Sequence, residues 1–215
     1  MTSQKYAYQS PISLHSSTCI PINQEIKICG INHWSEYNYG TKNFEVKDEI
    51  FLTVQSEKYK LVEYHFHNKG EHTINHKCYD GEVHFVFIEC SNVPKYNKNV
   101  NLCKCHSADS FPGTVFRVNS ANCEEDKTVP VTDIVVIGRM IKHTDIKQEL
   151  ENIHIKIPSN YFEYDGTLTT GTYSPVRWII GKHSIRLNME DVAKQSKSAR
   201  PIQDNDGRIV LYSDR

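Results

Sequence analysis

Of the 11 histidines in this 215-residue chain, five (His65, His67, His72, His76 and His84) fall within twenty consecutive residues. His65 and His67 stand two apart in the alternating run KLVEYHFH, and a strand directs such residues to one side. His84 stands in a second alternating run, EVHFVFIE. If the two runs are neighbouring strands, three imidazoles converge on one point, the donor set of zinc sites that keep a fourth position for water. Three neutral ligands leave the ion its full charge and bring a bound water's pKa to about 7, which makes hydroxide available at neutral pH. A plainer reading stands beside this one, since His-x-His alone also describes two half-buried, hydrogen-bonded histidines. The third histidine, in phase on a second strand, is what favours a metal. Glu63 and Glu82 each precede a candidate ligand by two positions on the same face, where a partner for the other imidazole N–H belongs. Solvated strand charges would read the same way. His72 and His76 flank turns and read as surface or structural residues.

The elements that must position these residues are mostly strands. Within the first run Leu61, Glu63, His65 and His67 share one face and Val62, Tyr64 and Phe66 the other. In the second, Glu82, His84, Val86 and Ile88 oppose Val83, Phe85 and Phe87, and the aromatic faces read as core. Asn68-Lys69-Gly70 and Asp80-Gly81 are turn formers, and Glu71 to Ile74 reads as a short strand, so the three segments are expected to neighbour one another in one antiparallel sheet. Further strands are expected at Ile50 to Val54, Thr132 to Met140 and Val176 to Ile180. Two helices carry start signals. Asp145 with Gln148 forms a capping-box pattern ahead of Ile146, Leu150 and Ile153, and Asn188 is an N-cap for a shorter helix through about Gln195. Residues 91–130, rich in Asn, Ser, Lys and Cys with little periodicity, read as a surface insertion in one predominantly β domain spanning residues 1–215.

Composition removes several function classes. With 25 Lys+Arg against 26 Asp+Glu and a pI of about 6.8, the chain is not built to coat nucleic acid or anionic membrane. Apolar runs such as Ile134-Val135-Val136-Ile137 fall far short of the roughly 20 residues a bilayer crossing needs. The first thirty residues have neither a basic start nor an apolar run, so the expected location is cytoplasmic, with a virion as the alternative. The seven cysteines are then expected as free thiols. Cys103-x-Cys105-His106 with Cys123 is a minor candidate for a second metal knuckle, with ordinary exposed thiols the competing reading.

The run EYHFHNKGEHTINHKCYDGEVHFVF resembles the zinc-binding core of the α-carbonic anhydrases, with its F-H-F-H strand, E-H-T segment and E-x-H-x-V strand. Tyr164 to Thr170 (YDGTLTT) is similar to that family's Y-x-G-S-L-T-T turn and Val176 to Ile180 (VRWII) to its V-T-W-I-V strand. Gln9-Ser10-Pro11-Ile12 and Arg200-Pro201-Ile202-Gln203 resemble its flanking motifs, and the matches occur in the family's order. The resemblance implies a twisted, mainly antiparallel central sheet with a few short peripheral helices. It also implies Zn²⁺ on His65, His67 and His84, and reversible hydration of carbon dioxide to bicarbonate and a proton. It implies that Thr169 accepts a hydrogen bond from the metal-bound hydroxide and donates its own to Glu71, since a hydroxyl donates only once. By the same resemblance Glu82 orients His84, and Glu63 stands where the family has Gln as partner to His65. Val86, Val136, Leu168 and Trp178 wall an apolar pocket for the substrate, with Thr170 at its edge.

The chain also departs from the family. The proton-shuttle histidine is Thr41 here, after Asn38-Tyr39-Gly40, with His33 as a possible substitute. Gly171-Thr172 replaces Pro-Pro after the paired threonines. A carboxylate at Glu63 adds a negative charge and should raise the bound water's pKa. The alternative function is a catalytically weak or inactive adhesion module on the same fold, like family members, including viral envelope proteins, that have lost ligands. Its protein or glycan partner would sit on the 91–130 insertion.

Overall fold

A computed structural model describes residues 8–30, 34–90, 133–170 and 174–214. The 91–130 insertion with Cys103, Cys105, His106 and Cys123, and also His33 and Gly171-Thr172, lie outside the described residues. The strands are β1 (Ser13–Leu14), β2 (Ile20–Pro21), β3 (Ile26–Cys29), β4 (Ser35–Asn38), β5 (Asn43–Val46), β6 (Phe51–Val54) and β7 (Glu57–His67). They continue with β8 (Thr73–Ile74), β9 (Gly81–Glu89), β10 (Ile134–His143), β11 (Asn160–Thr167), β12 (Pro175–Leu187), β13 (Ser196–Lys197) and β14 (Leu211–Asp214).

β7 organises the sheet, because its alternating sequence has a side chain to bury on each face. One of its edges takes β9; the other takes β6, β5 and β13 in turn along its length. The path runs β2-β14-β11-β12-β10-β9-β7-β5-β4, and most pairings are antiparallel, with β10–β12, β13–β7 and β14–β2 parallel. The mainly antiparallel, predominantly β single domain expected from the sequence is the fold found. One face buries Leu61, Tyr64, Phe66, Val83, Phe85 and Phe87 in an apolar core; the opposite face buries Val86, Val136, Met140, Phe162, Tyr164 and Trp178 in a second.

Three local expectations need correction. The β7–β9 register slips between Leu61 and Glu63, so the extra residue turns Leu61 to the face of Tyr64 and Phe66 and Val62 to the histidine side. The segment after His67 does not join the main sheet: β8 pairs in parallel with β1, making a separate two-stranded sheet. The helix expected from Asp145 is absent; only a 3-10 turn forms at Leu150–Asn152, and Ile146 is exposed. Tyr64 Oη donates to Leu150 O at 2.7 Å and Ser35 Oγ to Glu151 O at 2.7 Å, which ties this short turn to β7 and β4. The second helix does form, as α1 (Met189–Lys194), with Asn188 Oδ1 capping the amides of Glu190 and Asp191.

Candidate metal centre

The register assembles the site in rows. His65 of β7 lies opposite His84 of β9, which lies opposite Gly138 of β10. His67 lies opposite Glu82 in the next row. On the other side Glu63, Val86, Val136, Trp178 and Tyr164 form a row across five strands. Gly138 is required by this packing: a Cβ there would meet Ile180 Cδ1 at 2.5 Å and Glu82 Oε1 at 3.1 Å.

All three imidazoles are buried, and one nitrogen from each lies within 4.8 Å of the others. Burial holds His65 and His67 well below the usual histidine range, the other site histidines and Lys197 adding to it, so at neutral pH their nitrogens keep a lone pair. For His67 and His84, hydrogen bonds on the far side of the ring fix which nitrogen that is. His67 Nδ1 donates to Ser198 O at 3.1 Å, leaving Nε2 buried without a hydrogen-bond partner. His84 Nε2 donates to Glu82 Oε1 at 2.9 Å, which leaves Nδ1 as the nitrogen with the lone pair. His65 Nδ1 faces Glu63 Oε1 at 3.5 Å, while Glu63 Oε2 accepts from Asn43 Nδ2.

This donor set fits a tetrahedral ion. With a metal–nitrogen bond of about 2.1 Å and roughly 1.1 Å from nitrogen to ring centre, tetrahedral imidazoles have centroids about 5.2 Å apart. Two of the separations match, 5.2 Å for His65–His67 and 5.3 Å for His65–His84, and the third pair, His67–His84, is tighter at 4.7 Å. His72, Glu82 and His84 also cluster, but their atoms are already satisfied by one another and by Tyr164, so that group is a hydrogen-bonded support.

Glu82 is the centre of that support. Its Oε2 accepts the backbone amides of Glu71 at 2.8 Å and His72 at 2.9 Å, and its Oε1 accepts from His72 Nδ1 at 2.7 Å as well as from His84. Burial alone would raise its pKa, but His72 and His84 outweigh burial and hold the carboxyl well below the usual range. His72, fully buried, also meets Tyr164 Oη at 2.6 Å through Nε2, while His76 is exposed. Tyr164 Oη donates in turn to Ser10 Oγ at 3.1 Å.

Glu71 is buried beside the three histidines, and its Oε1 accepts the Arg200 amide at 2.6 Å. Burial raises its pKa; His84 and a side-chain contact from Thr169 oppose the rise. That contact is loose, because Glu71 Oε2 makes no hydrogen bond of standard geometry. Val86, Val136, Leu168 and Trp178 belong to one buried cluster, Trp178 meeting the His84 ring edge-on at 4.8 Å, and Thr170 is half-buried. Thr41 is also half-buried, with its hydroxyl oxygen covered and unpartnered.

Asn43, Tyr164 and the Ser198 carbonyl were not singled out as site residues from the sequence. The flanking motifs were legible, and they meet here: Arg200 Nη1 donates to Ser10 O at 2.6 Å, Gln203 N to Pro11 O at 2.8 Å and Arg208 Nη2 to Gln9 O at 2.8 Å.

A family model described as eukaryotic-type carbonic anhydrase matches residues 1–213. A carbonic anhydrase of Pectobacterium carotovorum is 25% identical over 169 residues, which cover 75% of this chain and 61% of that protein. The chain thus spans about three fifths of that relative's length. Among solved structures, Photobacterium profundum α-carbonic anhydrase superposes with a TM-score of 0.67 at 16% identity, covering 95% of this chain and 88% of that one. The α-carbonic anhydrase of Thermovibrio ammonificans, solved with the inhibitor sulfanilamide, gives a TM-score of 0.62 at 19% identity, covering 95% and 86%.

Proposed function

The chain belongs to the eukaryotic-type carbonic anhydrase family, and from that premise we propose that it catalyses the reversible hydration of carbon dioxide to bicarbonate and a proton, with Zn²⁺ held by His65, His67 and His84. Bound zinc supplies a Lewis acid and a nucleophile derived from water at neutral pH. The chain's own residues do the rest. Glu82 and Ser198 O hold protons on the far nitrogens of His84 and His67, so the near nitrogens face inward as lone pairs. Glu71 is the acceptor for the Thr169 hydroxyl proton, which leaves Thr169 able only to accept from the attacking oxygen and so orients it. Val86, Val136, Leu168 and Trp178 give an apolar, uncharged molecule a dry wall beside the nucleophile, with Thr170 at its edge.

The single observation that carries this reading is the buried, unpartnered Nε2 of His67 inside a cluster of three imidazoles that each bring one nitrogen within 4.8 Å of the others. A purely structural histidine cluster has no reason to leave that atom bare. The test is zinc content together with carbon dioxide hydration of the full chain and of His84→Ala. One zinc per native chain with activity, both lost in the variant, supports the reading; full zinc in the variant or none in the native chain made with zinc present overturns it.

A further inference from the structure

A second pair of histidines stands away from this centre. β1 and β8 run in parallel, and just beyond them the His15 and His76 rings lie with centroids 4.3 Å apart and planes tilted by 53°. His76 reaches this place through an unusual backbone. Asn75 and His76 are the centre of a two-residue turn closed by Ile74 and Lys77, and both have positive φ, 48° and 64°. Such primed turns favour glycine at the second position, so a histidine there is held at a conformational cost glycine would avoid. The partner is fixed as firmly: Asn75 N donates to Leu14 O at 2.8 Å, Asn75 Oδ1 accepts the Ser16 amide at 3.0 Å, and Ser13 Oγ meets His15 Nε2 at 2.9 Å. Among the described residues, His15 Nδ1 and both ring nitrogens of His76 make no hydrogen bond.

From this juxtaposition we infer that His15 and His76 form a surface chelate for a divalent transition-metal ion of the nickel or copper type, separate from the buried centre. Two imidazoles at right angles on one ion, with bonds of about 2.1 Å and roughly 1.1 Å from nitrogen to ring centre, have centroids about 4.5 Å apart. The observed 4.3 Å is nearer to that square or octahedral spacing than to the tetrahedral one. Imidazole suits these ions, and tetragonal geometry is theirs by preference. A bound ion would tie the β1 segment to the turn after β8, the segment that also carries Glu71 and His72.

The test is calorimetric titration of the full, untagged chain with Ni²⁺, beside His15→Gln and His76→Gly. Glutamine can keep the bond to Ser13, and glycine suits the turn, so both variants fold; His76→Gly should unfold at an equal or higher temperature without metal. The native chain takes up one more equivalent than either variant, its affinity at that site falls at least about tenfold on loss of either ring, and only its unfolding midpoint rises with that equivalent. Equal uptake by all three chains, or loss in only one variant, overturns the inference.

Discussion

Replacing Glu82 by Gln tests how the metal centre is set, because the amide has the same size but can accept at only one of its two ends. Two of the donors Glu82 serves are backbone amides, of Glu71 and His72, which cannot change; the carbonyl of the new side chain must face them. Its NH₂ is then turned to His72 Nδ1 and His84 Nε2, both of which now have to accept. His84 does so only by moving its proton to Nδ1, the nitrogen otherwise left to ligate. Folding loses the difference between four charge-assisted bonds and four neutral ones, about 4 kcal/mol. Zinc affinity should fall by about 100-fold, the upper end of what lost outer partners cost, since this partner opposes the ligating tautomer. Competition with a chromogenic chelator measures the affinity, and urea unfolding of the metal-free chain measures the stability. A variant that holds zinc as tightly as the native chain would refute the assignment of the lone pair to Nδ1.

Three further outcomes follow. In the metal-free chain His65 and His67 have depressed values when folded, so the unfolded state takes up protons first; stability is full above about pH 6.5 and falls with acid by up to about 1.4 kcal/mol per pH unit for each. Urea midpoints that do not change between about pH 7 and pH 5 would contradict this. Gly166→Ala places a Cβ against Ser10 Oγ and within 2.8 Å of Tyr164 Cε2, so it should cost about 1–3 kcal/mol in denaturant unfolding, and an unchanged midpoint would mean the Ser10–Tyr164 contact is slack. Thr41 cannot carry protons near neutrality, so turnover at saturating carbon dioxide should rise with added imidazole buffer while kcat/KM hardly changes, and Thr41→His should remove the dependence; turnover already insensitive to buffer would point to another group.

The histidine triad was legible because period-two alternation is a local property, and the sheet kept His65, His67 and His84 in phase. The same rule misplaced Leu61, since a one-residue bulge leaves no mark in a run of apolar residues. The capping-box pattern at Asp145 promised a helix, but only a 3-10 turn forms there, tied down by Tyr64 and Ser35, which are distant in sequence. His72 shows a similar limit. Its spacing from a turn said surface or structural, and only Glu82 and Tyr164, brought in by β9 and β11, make it a buried strut. Which nitrogen of His67 is bare is likewise set by an atom, Ser198 O, that no local pattern reveals.

The junction of Gln9-Ser10-Pro11 with Arg200, Gln203 and Arg208 also orders events during synthesis. A growing chain can pair β7 with β9 once His84 and its neighbours have emerged, but the amide that steadies Glu71 and the carbonyl that fixes His67 belong to Arg200 and Ser198. Pairings as distant as Ile137 with Ile179 already slow a sheet of this kind. The finished histidine site is therefore a late product, assembled after nearly all of these residues have left the ribosome, and a chain cut short before Ser198 would carry all three histidines without the supports that aim them.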